Sequence, residues 1–335
     1  MAVHINPESF VLPAFFGLAY PYILLANIVI VIVWTAFLRI EALISVFFIV
    51  LGFTHLSNYI QIGKRGADKE FTFNIMSYNL RLFNYFEDHN SSTEKKIMDF
   101  IEARKPDILC IQEVFINGDL SKKESEFINS LGGNYHSHIK VLGYGKNRYY
   151  GIATFSRFPV VKKGEIIHPE SSSLSIFTDV VIEKDTFRIF NNHLQSFRLR
   201  SIERSFLEEI ALADDKATLN EIRNLSVNLK KGFVKRARQS KVVKAQINHS
   251  PYPVVVAGDF NDTPVSYSYR KIRTGLNDSF VSSGYGAGFT YKGNYPPNRI
   301  DYVLYDNNLE NTDFETIRVR YSDHYPVVAY FRKRN

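Results

Sequence analysis

Several polar side chains stand where apolar runs of the sequence end or begin. They are Asn79, Glu113, His193, Asp259, Asn261, Asp323 and His324. A strand can stay buried while the turn beside it presents such a side chain into a cleft. Carboxylate and amide oxygens, with no cysteine among them, suit Mg²⁺ or Mn²⁺ better than Zn²⁺. Imidazole and carboxylate groups also perform acid and base catalysis, so we expect a metal-dependent catalytic site built from strand ends.

Each of these residues also has a structural explanation when it is taken alone. Asn and Asp are favoured in turns because their side chains bond to nearby backbone, and many histidines are structural. The same placement recurs at many points of the chain, which favours a shared site. The single cysteine, Cys110, lies in an apolar run and excludes both an internal disulfide framework and a cysteine metal cluster. We interpret it as a small core residue.

From Phe71 onward the sequence alternates between short β-branched or aromatic runs and turn residues. Its periodicity predicts a helix from Glu94 to Ala103. The predicted strands cover 71–78, 107–112, 151–156, 175–183, 187–192, 254–258, 300–305 and 327–331. Apolar strands with intervening helices indicate an α/β sandwich, with two sheets inside and helices outside.

Residues 201–248 differ from this pattern, because they are helical in composition and contain no proline. We predict a helical insert at about 200–249 within a catalytic domain of residues 67–335. A basic stripe on this insert consists of Lys230, Lys231, Lys235, Arg236, Arg238, Lys241 and Lys244. It can bind anionic lipid, at about 1 kcal/mol per basic residue near the surface, or it can be a solvated helix face.

The first 66 residues form a predicted membrane anchor. No charged residue lies between Glu8 and Arg39, and a second uncharged stretch covers residues 42–63. We therefore predict spanning helices at about 10–38 and 42–62, with residues 10–20 as a separate interfacial helix because of Pro13 and Pro21. Two buried core helices are the alternative. Basic residues after the second helix place both ends, and the catalytic domain, in the cytoplasm by the positive-inside rule.

The chain has 335 residues and a formal net charge of +7, so an anionic partner is expected. Nucleic acid, phospholipid headgroups and a phosphorylated small molecule all satisfy this charge. No obligate protein partner is evident from the sequence.

A set of motifs resembles those of the DNase I-like endonuclease/exonuclease/phosphatase superfamily, and the motifs occur in family order over residues 71–332. They are Ser77-Tyr78-Asn79-Leu80-Arg81, Pro106 to Glu113, Gly151 to Arg157, Asn192-His193-Leu194, Gly258-Asp259-Phe260-Asn261, Arg299-Ile300-Asp301-Tyr302 and Ser322-Asp323-His324. The resemblance implies the DNase I-like four-layer αββα sandwich, here with an N-terminal transmembrane helical hairpin.

The resemblance also implies roles for these residues. Glu113 is the expected principal metal ligand, with Asn79 beside it and Asp301 or Asp323 completing the site. Asp259 and Asn261 orient the attacking water and hold the phosphate. His324, held by a carboxylate such as Asp301, is a base or a phosphate-stabilising cation, and His193 is the leaving-group acid or a phosphate contact. Arg157 and Arg299 are candidate substrate contacts, with structural ion pairs as the alternative.

These residues together predict a Mg²⁺-dependent phosphoesterase, with Mn²⁺ as the alternative ion, that hydrolyses a phosphodiester or phosphomonoester at the membrane. Hydrolysis needs charge neutralisation, an activated water and a protonated leaving group, which this set of groups can supply. The substrate stays open between a lipid headgroup and nucleic acid, although the insert has few aromatic residues for base stacking beyond Phe233. A catalytically inactive membrane-bound scaffold is the alternative, against which the complete residue set argues.

Overall fold

Two six-stranded mixed sheets, packed face to face, form the centre of the molecule. The computed structural model of the chain describes residues 1–62, 70–86, 92–143, 145–169, 171, 173–197, 219–293 and 298–334. The first sheet consists of β2 (Phe73–Asn79), β3 (Ile108–Asn117), β4 (His136–Gly143), β5 (Arg148–Ser156), β13 (Leu309–Thr316) and β14 (Val327–Lys333). The second consists of β6 (Val160–Ile166), β7 (Leu174–Ile182), β8 (Asp185–His193), β9 (Val254–Asp259), β10 (Asn277–Asp278) and β12 (Asp301–Tyr305). A short ladder joins β1 (Ile60–Gln61) to β11 (Gly286–Ala287).

Most helices lie at the N-terminus or on the outer faces of the sheets, whereas the last one, α9 (Ser279–Ser283), packs Phe280 into the core between the sheets. The N-terminal helices are α1 (Leu12–Leu18), α2 (Tyr20–Ala36), α3 (Ala42–Leu51) and α4 (Phe53–Leu56). The others are α5 (Ser92–Arg104), α6 (Leu120–Ser130), α7 (Leu219–Asn248), α8 (Tyr267–Arg273) and α9 (Ser279–Ser283). A 3₁₀ turn covers Arg81–Asn84.

The main hydrophobic core lies between the two sheets. It joins Ile108 and Cys110 of the first sheet to Val255 and Ala257 of the second. Burial raises the pKa of the Cys110 thiol to about 12, so the prediction of an inert core residue is confirmed. Separate clusters pack α5 and α6 on the outer face of the first sheet and α7 and α8 on the outer face of the second. The predicted two-sheet α/β sandwich with outer helices is therefore confirmed.

The register of the strands brings one end of each sheet together. In the first sheet β2 runs parallel to β3, with Asn79 opposite Gln112. In the second, β8 runs parallel to β9 and places His193 opposite Asp259. Strand β12 is antiparallel to β9 and places Asp301 opposite Asp259 from the other side. Residues far apart in the chain thus meet at adjacent strand ends.

The N-terminal helices differ from the predicted anchor. Helix α1 is separate from α2, as expected, and it packs against the rest of the molecule through Gly17, where a Cβ would stand 2.3 Å from the Val265 carbonyl oxygen. Its position at a membrane interface stays a prediction. The second predicted helix, 42–62, is too long, because α3 ends at Leu51 and residues 58–61 contact the catalytic domain. The predicted boundary near residue 66 lies outside the described residues.

Within the described ranges, no single helix is long and apolar enough to cross a membrane. Helices α1 and α2 satisfy the length and composition requirement only as a pair, and they are bent by 66° at their junction.

The predicted insert is helical from Leu219 to Asn248, and its first part, 201–218, lies outside the described residues. The basic stripe on it is largely engaged within the protein. Arg236 is fully buried and pairs with Asp262 at 3.0 Å, whereas Arg238 and Lys241 pair with Glu8 of the N-terminal segment. Hydrogen bonds and charge from Lys241 and Arg238 lower the pKa of Glu8 to about 2. The stripe is therefore divided: Arg236 is a buried structural cation, whereas Lys230 and Lys231 lie on the exposed face of α7.

We predict that Arg236→Ala lowers the free energy of unfolding by about 3–5 kcal/mol, because it leaves Asp262 buried without its charged partner. Arg236 also donates to the Gln195 carbonyl at 2.9 Å. Lys231→Ala on the exposed face of the same helix should change stability by less than about 0.5 kcal/mol. Urea denaturation compares the two variants, and equal losses would show that Arg236 is not a structural cation.

Candidate active site

The strand ends of the two sheets form one polar cleft. Asn79 and Glu113 come from the first sheet, and His193, Asp259 and Asp301 come from the second. The amide Nδ2 of Asn79 donates a hydrogen bond of 2.9 Å to Oδ2 of Asp259, which joins the two sheets directly. The structure therefore places these predicted site residues in a shared cleft, whereas their chemical roles stay predictions.

Asp259 lies at the centre of the cleft, at the end of β9. Gly258 before it has φ +132°, and a Cβ there would stand 2.0 Å from the Asn192 carbonyl oxygen, so only glycine fits this approach of β9 to β8. The backbone N–H of Asn261 donates to Asp259 Oδ1 at 2.7 Å, and Asn261 itself adopts φ +52°. Burial, together with the charge of Asp301, raises the pKa of Asp259 above the ordinary range of an aspartic acid.

His324 is held by Asp301 inside the same cleft. Its Nδ1 lies 2.9 Å from Asp301 Oδ2, and its Nε2 lies 3.8 Å from Asp259 Oδ2. Burial alone would lower the pKa of His324, but the charges of Asp301 and Asp259 outweigh it and raise this pKa to about 10. The ring is consequently an imidazolium at neutral pH. The edge-on ring of Tyr291 covers it, with 5.0 Å between the ring centroids.

Glu113 forms the second charged pair of the cleft with His193. Oε1 of Glu113 lies 3.3 Å from His193 Nε2. Burial would raise the pKa of Glu113, but hydrogen bonding and charge from His193 outweigh it and lower this pKa to about 2. Glu113 adopts φ +51° at an irregularity of the β3–β5 pairing between Ile111 and Val114. Backbone strain of this kind, here at Glu113 and Asn261, is typical of functional sites.

The loop after β2 closes the cleft on the side of Asp323. Arg81 Nε lies 3.5 Å from Asp323 Oδ2, and the Ser322 hydroxyl donates to the Asn79 carbonyl at 2.8 Å. Residues 81–84 all have positive φ, a conformation that costs roughly 1–2 kcal/mol per residue. Asn84 stabilises this turn by donating to the Tyr321 carbonyl at 3.0 Å.

Sequence reasoning assigned no role to Arg81, Ser322 or Tyr291. Arg81 and Ser322 stand inside the motifs quoted above, which is the only signal that pointed to them. Tyr291 lies between predicted strands, and no feature of the sequence pattern predicts that its ring covers His324.

The two arginines predicted to contact substrate lie elsewhere. Arg157 follows β5 and pairs at 3.5 Å with Asp107, which directly precedes β3 and lies about 20 Å along the strand from Glu113. Arg299 is buried, pairs with Asp278 and donates to the Asn58 carbonyl at 2.9 Å. Arg299 has the structural role that was the alternative, because its buried guanidinium is committed to a carboxylate away from the cleft. Arg157 pairs with Asp107 but stays partly exposed, so a substrate contact remains a prediction for it.

Two groups of side chains in the cleft can hold a divalent ion. One oxygen or nitrogen atom from each of Asp259, Asp301 and His324 lies within 4.8 Å of the others. An ion there has to displace a proton from His324 Nε2, whereas the Nδ1 pair with Asp301 can remain. Glu113, Asn79 and Asp323 offer oxygen ligands alone, which is the donor type that a magnesium-type ion prefers.

Residues 76–324 match the family described as the endonuclease/exonuclease/phosphatase family. Residues 1–59 match a second family, described as a domain of unknown function (DUF8431). No curated protein sequence matches the chain.

Solved structures share the fold at low sequence identity. An endonuclease/exonuclease/phosphatase family protein from Leptotrichia buccalis C-1013-b has a TM-score of 0.56 and 14% identity, over 78% of this chain and 99% of that chain. A humanized D. rerio TDP2 has a TM-score of 0.56 and 15% identity, over 78% and 99% of the two chains. The human Nocturnin catalytic domain with bound sulfate has a TM-score of 0.55 and 18% identity, over 78% and 94%.

The family match covers most of the chain and includes every residue of the cleft described above, from Asn79 to His324. The chain therefore belongs to the endonuclease/exonuclease/phosphatase family, a family of hydrolases that act on phosphoester bonds.

Proposed function

We propose that this protein is a Mg²⁺-dependent phosphodiesterase that works at a membrane surface on lipid headgroups. The observation that carries the catalytic part is the juxtaposition, in one cleft, of an Asp301-held imidazolium with the buried carboxyl of Asp259 and the Glu113–His193 pair. Such an arrangement offers a cation for the phosphate, an acceptor for a proton from water and a donor for the leaving oxygen.

The chain's own groups divide the reaction as follows. His324, protonated and fixed by Asp301, donates a hydrogen bond to a nonbridging phosphate oxygen. Asp259 accepts a proton from the attacking water, whose oxygen forms the new bond to phosphorus while the bond to the leaving oxygen breaks. His193 gives its proton to that leaving oxygen. Glu113, Asn79 and Asp323 would hold the metal ion, which when bound neutralises charge on the phosphate.

The membrane part of the proposal rests on α2 and α3. In a soluble protein a continuous exposed apolar surface of this extent is unusual and needs a cover. Helix α2 has no buried residue, and at 1.5 Å per residue it is about 26 Å long, close to the roughly 30 Å of a bilayer core. The exposed large apolar residues between 22 and 53 are Tyr22, Ile23, Leu25, Ile28, Val29, Ile30, Ile32, Val33, Trp34, Phe37, Leu38, Ile40, Leu43, Ile44, Val46, Phe47, Phe48, Val50, Leu51 and Phe53.

Both ends of this hairpin return to the catalytic domain. Gly17 packs on Val265 before α2, and the Asn58 carbonyl accepts from Arg299 after α4. Both ends therefore lie on the same side of any bilayer that the hairpin enters, and we propose that this side is the cytoplasm. The charged connection at Arg39 and Glu41 favours a tip that reaches the far headgroups, because a charge in the bilayer centre is costly.

A lipid headgroup is favoured over nucleic acid by the position of the hairpin. Tyr59, Ile60 and Gln61, which follow it, bond to the segment 286–288, and this segment leads directly to Tyr291 above His324. The cleft and the hairpin thus share one connecting segment. Carboxylates of the protein itself pair with Arg236, Arg238 and Lys241. These three residues are therefore less available to bind the phosphates of a nucleic acid.

We predict that Asp259→Asn lowers kcat on a soluble phosphodiester such as bis(4-nitrophenyl) phosphate by about 10²–10⁴-fold, because the proton acceptor is lost. Its melting temperature in EDTA at neutral pH should change little. The neutral amide removes the penalty that burial and the charge of Asp301 place on the ionised carboxylate, but it also loses the hydrogen bond that Asp259 Oδ2 accepts from Asn79. Calorimetry and initial rates measure the two effects.

Asp185→Asn, an exposed acid at the opposite end of β8, serves as the matched control and should keep full activity. Unfolding of Asp259→Asn would show that Asp259 is structural. Absence of turnover by the wild type on lipid, nucleotide and sugar phosphate substrates would favour the inactive scaffold.

A second prediction concerns the hairpin. Its ends are close, because the Tyr20 hydroxyl donates to the Gly52 carbonyl at 3.0 Å. A short Gly-Ser linker that replaces residues 21–51 should therefore leave the fold intact and remove the need for detergent. We expect unchanged turnover of soluble phosphodiesters and at least about tenfold slower turnover of lipid in vesicles, since the effective substrate concentration is lost. Vesicle flotation and rates test this, and a variant that still floats with vesicles would overturn the anchor.

A further inference from the structure

A cavity of about 390 Å³ opens beside the cleft and is not used by the mechanism above. Its lining consists of Phe289, Tyr291, Lys292, Arg318, Arg320 and Tyr325. It adjoins the catalytic groups directly, because Tyr291 packs on the His324 ring and Tyr325 follows His324 in the chain. A substrate bound at His324 therefore has this cavity next to it.

The cavity concentrates positive charge. Lys292, Arg318 and Arg320 come from two separate segments, and in the described part of the chain none of the three has a carboxylate within ion-pairing distance. Cations that repel one another at a concave surface are stabilised when an anion binds between them.

Arg318 holds the cavity in shape. It donates to the carbonyl oxygens of Phe289 at 2.6 Å and Ala287 at 2.8 Å, and its guanidinium lies 4.7 Å from the Tyr325 ring centroid. Lys292 Nζ lies 5.6 Å from the centroid of the same ring. The aromatic platform thus fixes the direction of two cations, while Arg320 is exposed at the rim.

The wall of the cavity is attached to the end of the hairpin. Residues 286 and 287 pair with β1, and Gly288 donates to the Tyr59 carbonyl at 2.8 Å. These residues lead into Phe289 and Tyr291 of the lining. If the hairpin lies in a bilayer, the cavity is at the level where headgroups are presented.

We propose that this cavity is a subsite for a second anionic group of the substrate, a phosphate carried on the lipid headgroup whose ester bond lies at His324. The inference rests on the proposed phosphodiesterase function and adds the substrate class, a phosphorylated headgroup. Arg320 and Lys292 contact the second phosphate, and Arg318 with Tyr325 positions them.

The test uses two lipids that differ only by a terminal phosphate, phosphatidylglycerol and phosphatidylglycerol phosphate, in phosphatidylcholine vesicles with the full chain. We expect kcat/KM to be at least about tenfold higher for the phosphorylated lipid, which corresponds to about 1.4 kcal/mol. Arg320→Ala and Lys292→Ala should each raise KM for this lipid and abolish the preference for it over the unphosphorylated lipid. Arg320→Lys should restore part of the preference.

Arg332→Ala is the matched control, because Arg332 is an exposed arginine paired with Glu310 near the far end of β14 and should keep the preference. The deacylated headgroups, with and without the terminal phosphate, separate the two sources of the anion. A preference seen equally with these soluble esters would overturn the lipid source.

Pyrophosphate binding in EDTA, measured by calorimetry, tests the subsite without catalysis. Weaker pyrophosphate binding by Arg320→Ala, but not by Arg332→Ala, supports the subsite even if no lipid is hydrolysed. Absence of hydrolysis would contradict only the proposed function. The opposite outcome is that both lipids are hydrolysed equally well, that this hydrolysis depends on Asp259, and that Arg320→Ala has no effect. This result overturns the subsite and still supports the proposed phosphodiesterase activity.

Discussion

The burial of two carboxylates beside one imidazolium is the interaction on which the cleft depends. Asp259 and Asp301 lie opposite each other on neighbouring strands, where their like charges repel at low dielectric. His324 relieves this repulsion by bonding to Asp301 and lying near Asp259. Asn79 and the Asn261 backbone stabilise Asp259 further with hydrogen bonds. These groups are brought together by the strand register of β8, β9 and β12 and by the close approach that Gly258 allows.

Much of this arrangement could be predicted from the sequence. Buried strands such as β3 and β9 are apolar runs, so their presence and their polar ends were visible in the pattern. Edge strands were missed: β6, for example, contains the adjacent exposed lysines Lys162 and Lys163 followed by a glycine, and so has no alternating pattern. The partners of Arg236 and Arg299 could not be foreseen, since composition shows a basic residue but not the buried carboxylate that a tertiary contact brings beside it.

In the N-terminal segment, too, the sequence pattern predicts the elements but not their tertiary contacts. Hydropathy correctly marked α2 and α3 as apolar, but it did not reveal that α1 would be held by a close approach of Gly17 to Val265. Glu8 looks like an isolated acid in the sequence, and in the fold it bridges Arg238 and Lys241 of α7. Within residues 1–62 the segment is consequently joined to the rest of the molecule at its start and at its end, and the hairpin of α2 and α3 extends away from these contacts.

The single cysteine has a practical consequence for the redox chemistry of this protein. Cys110 lies between the two sheets, fully shielded, and its thiol is protonated at every physiological pH. Because the thiolate is the form that reacts with peroxide and with maleimides, the folded molecule is inert to both. Oxidants therefore find no reactive thiol in the folded protein. A fluorophore coupled to a cysteine engineered on the surface would label that one known position.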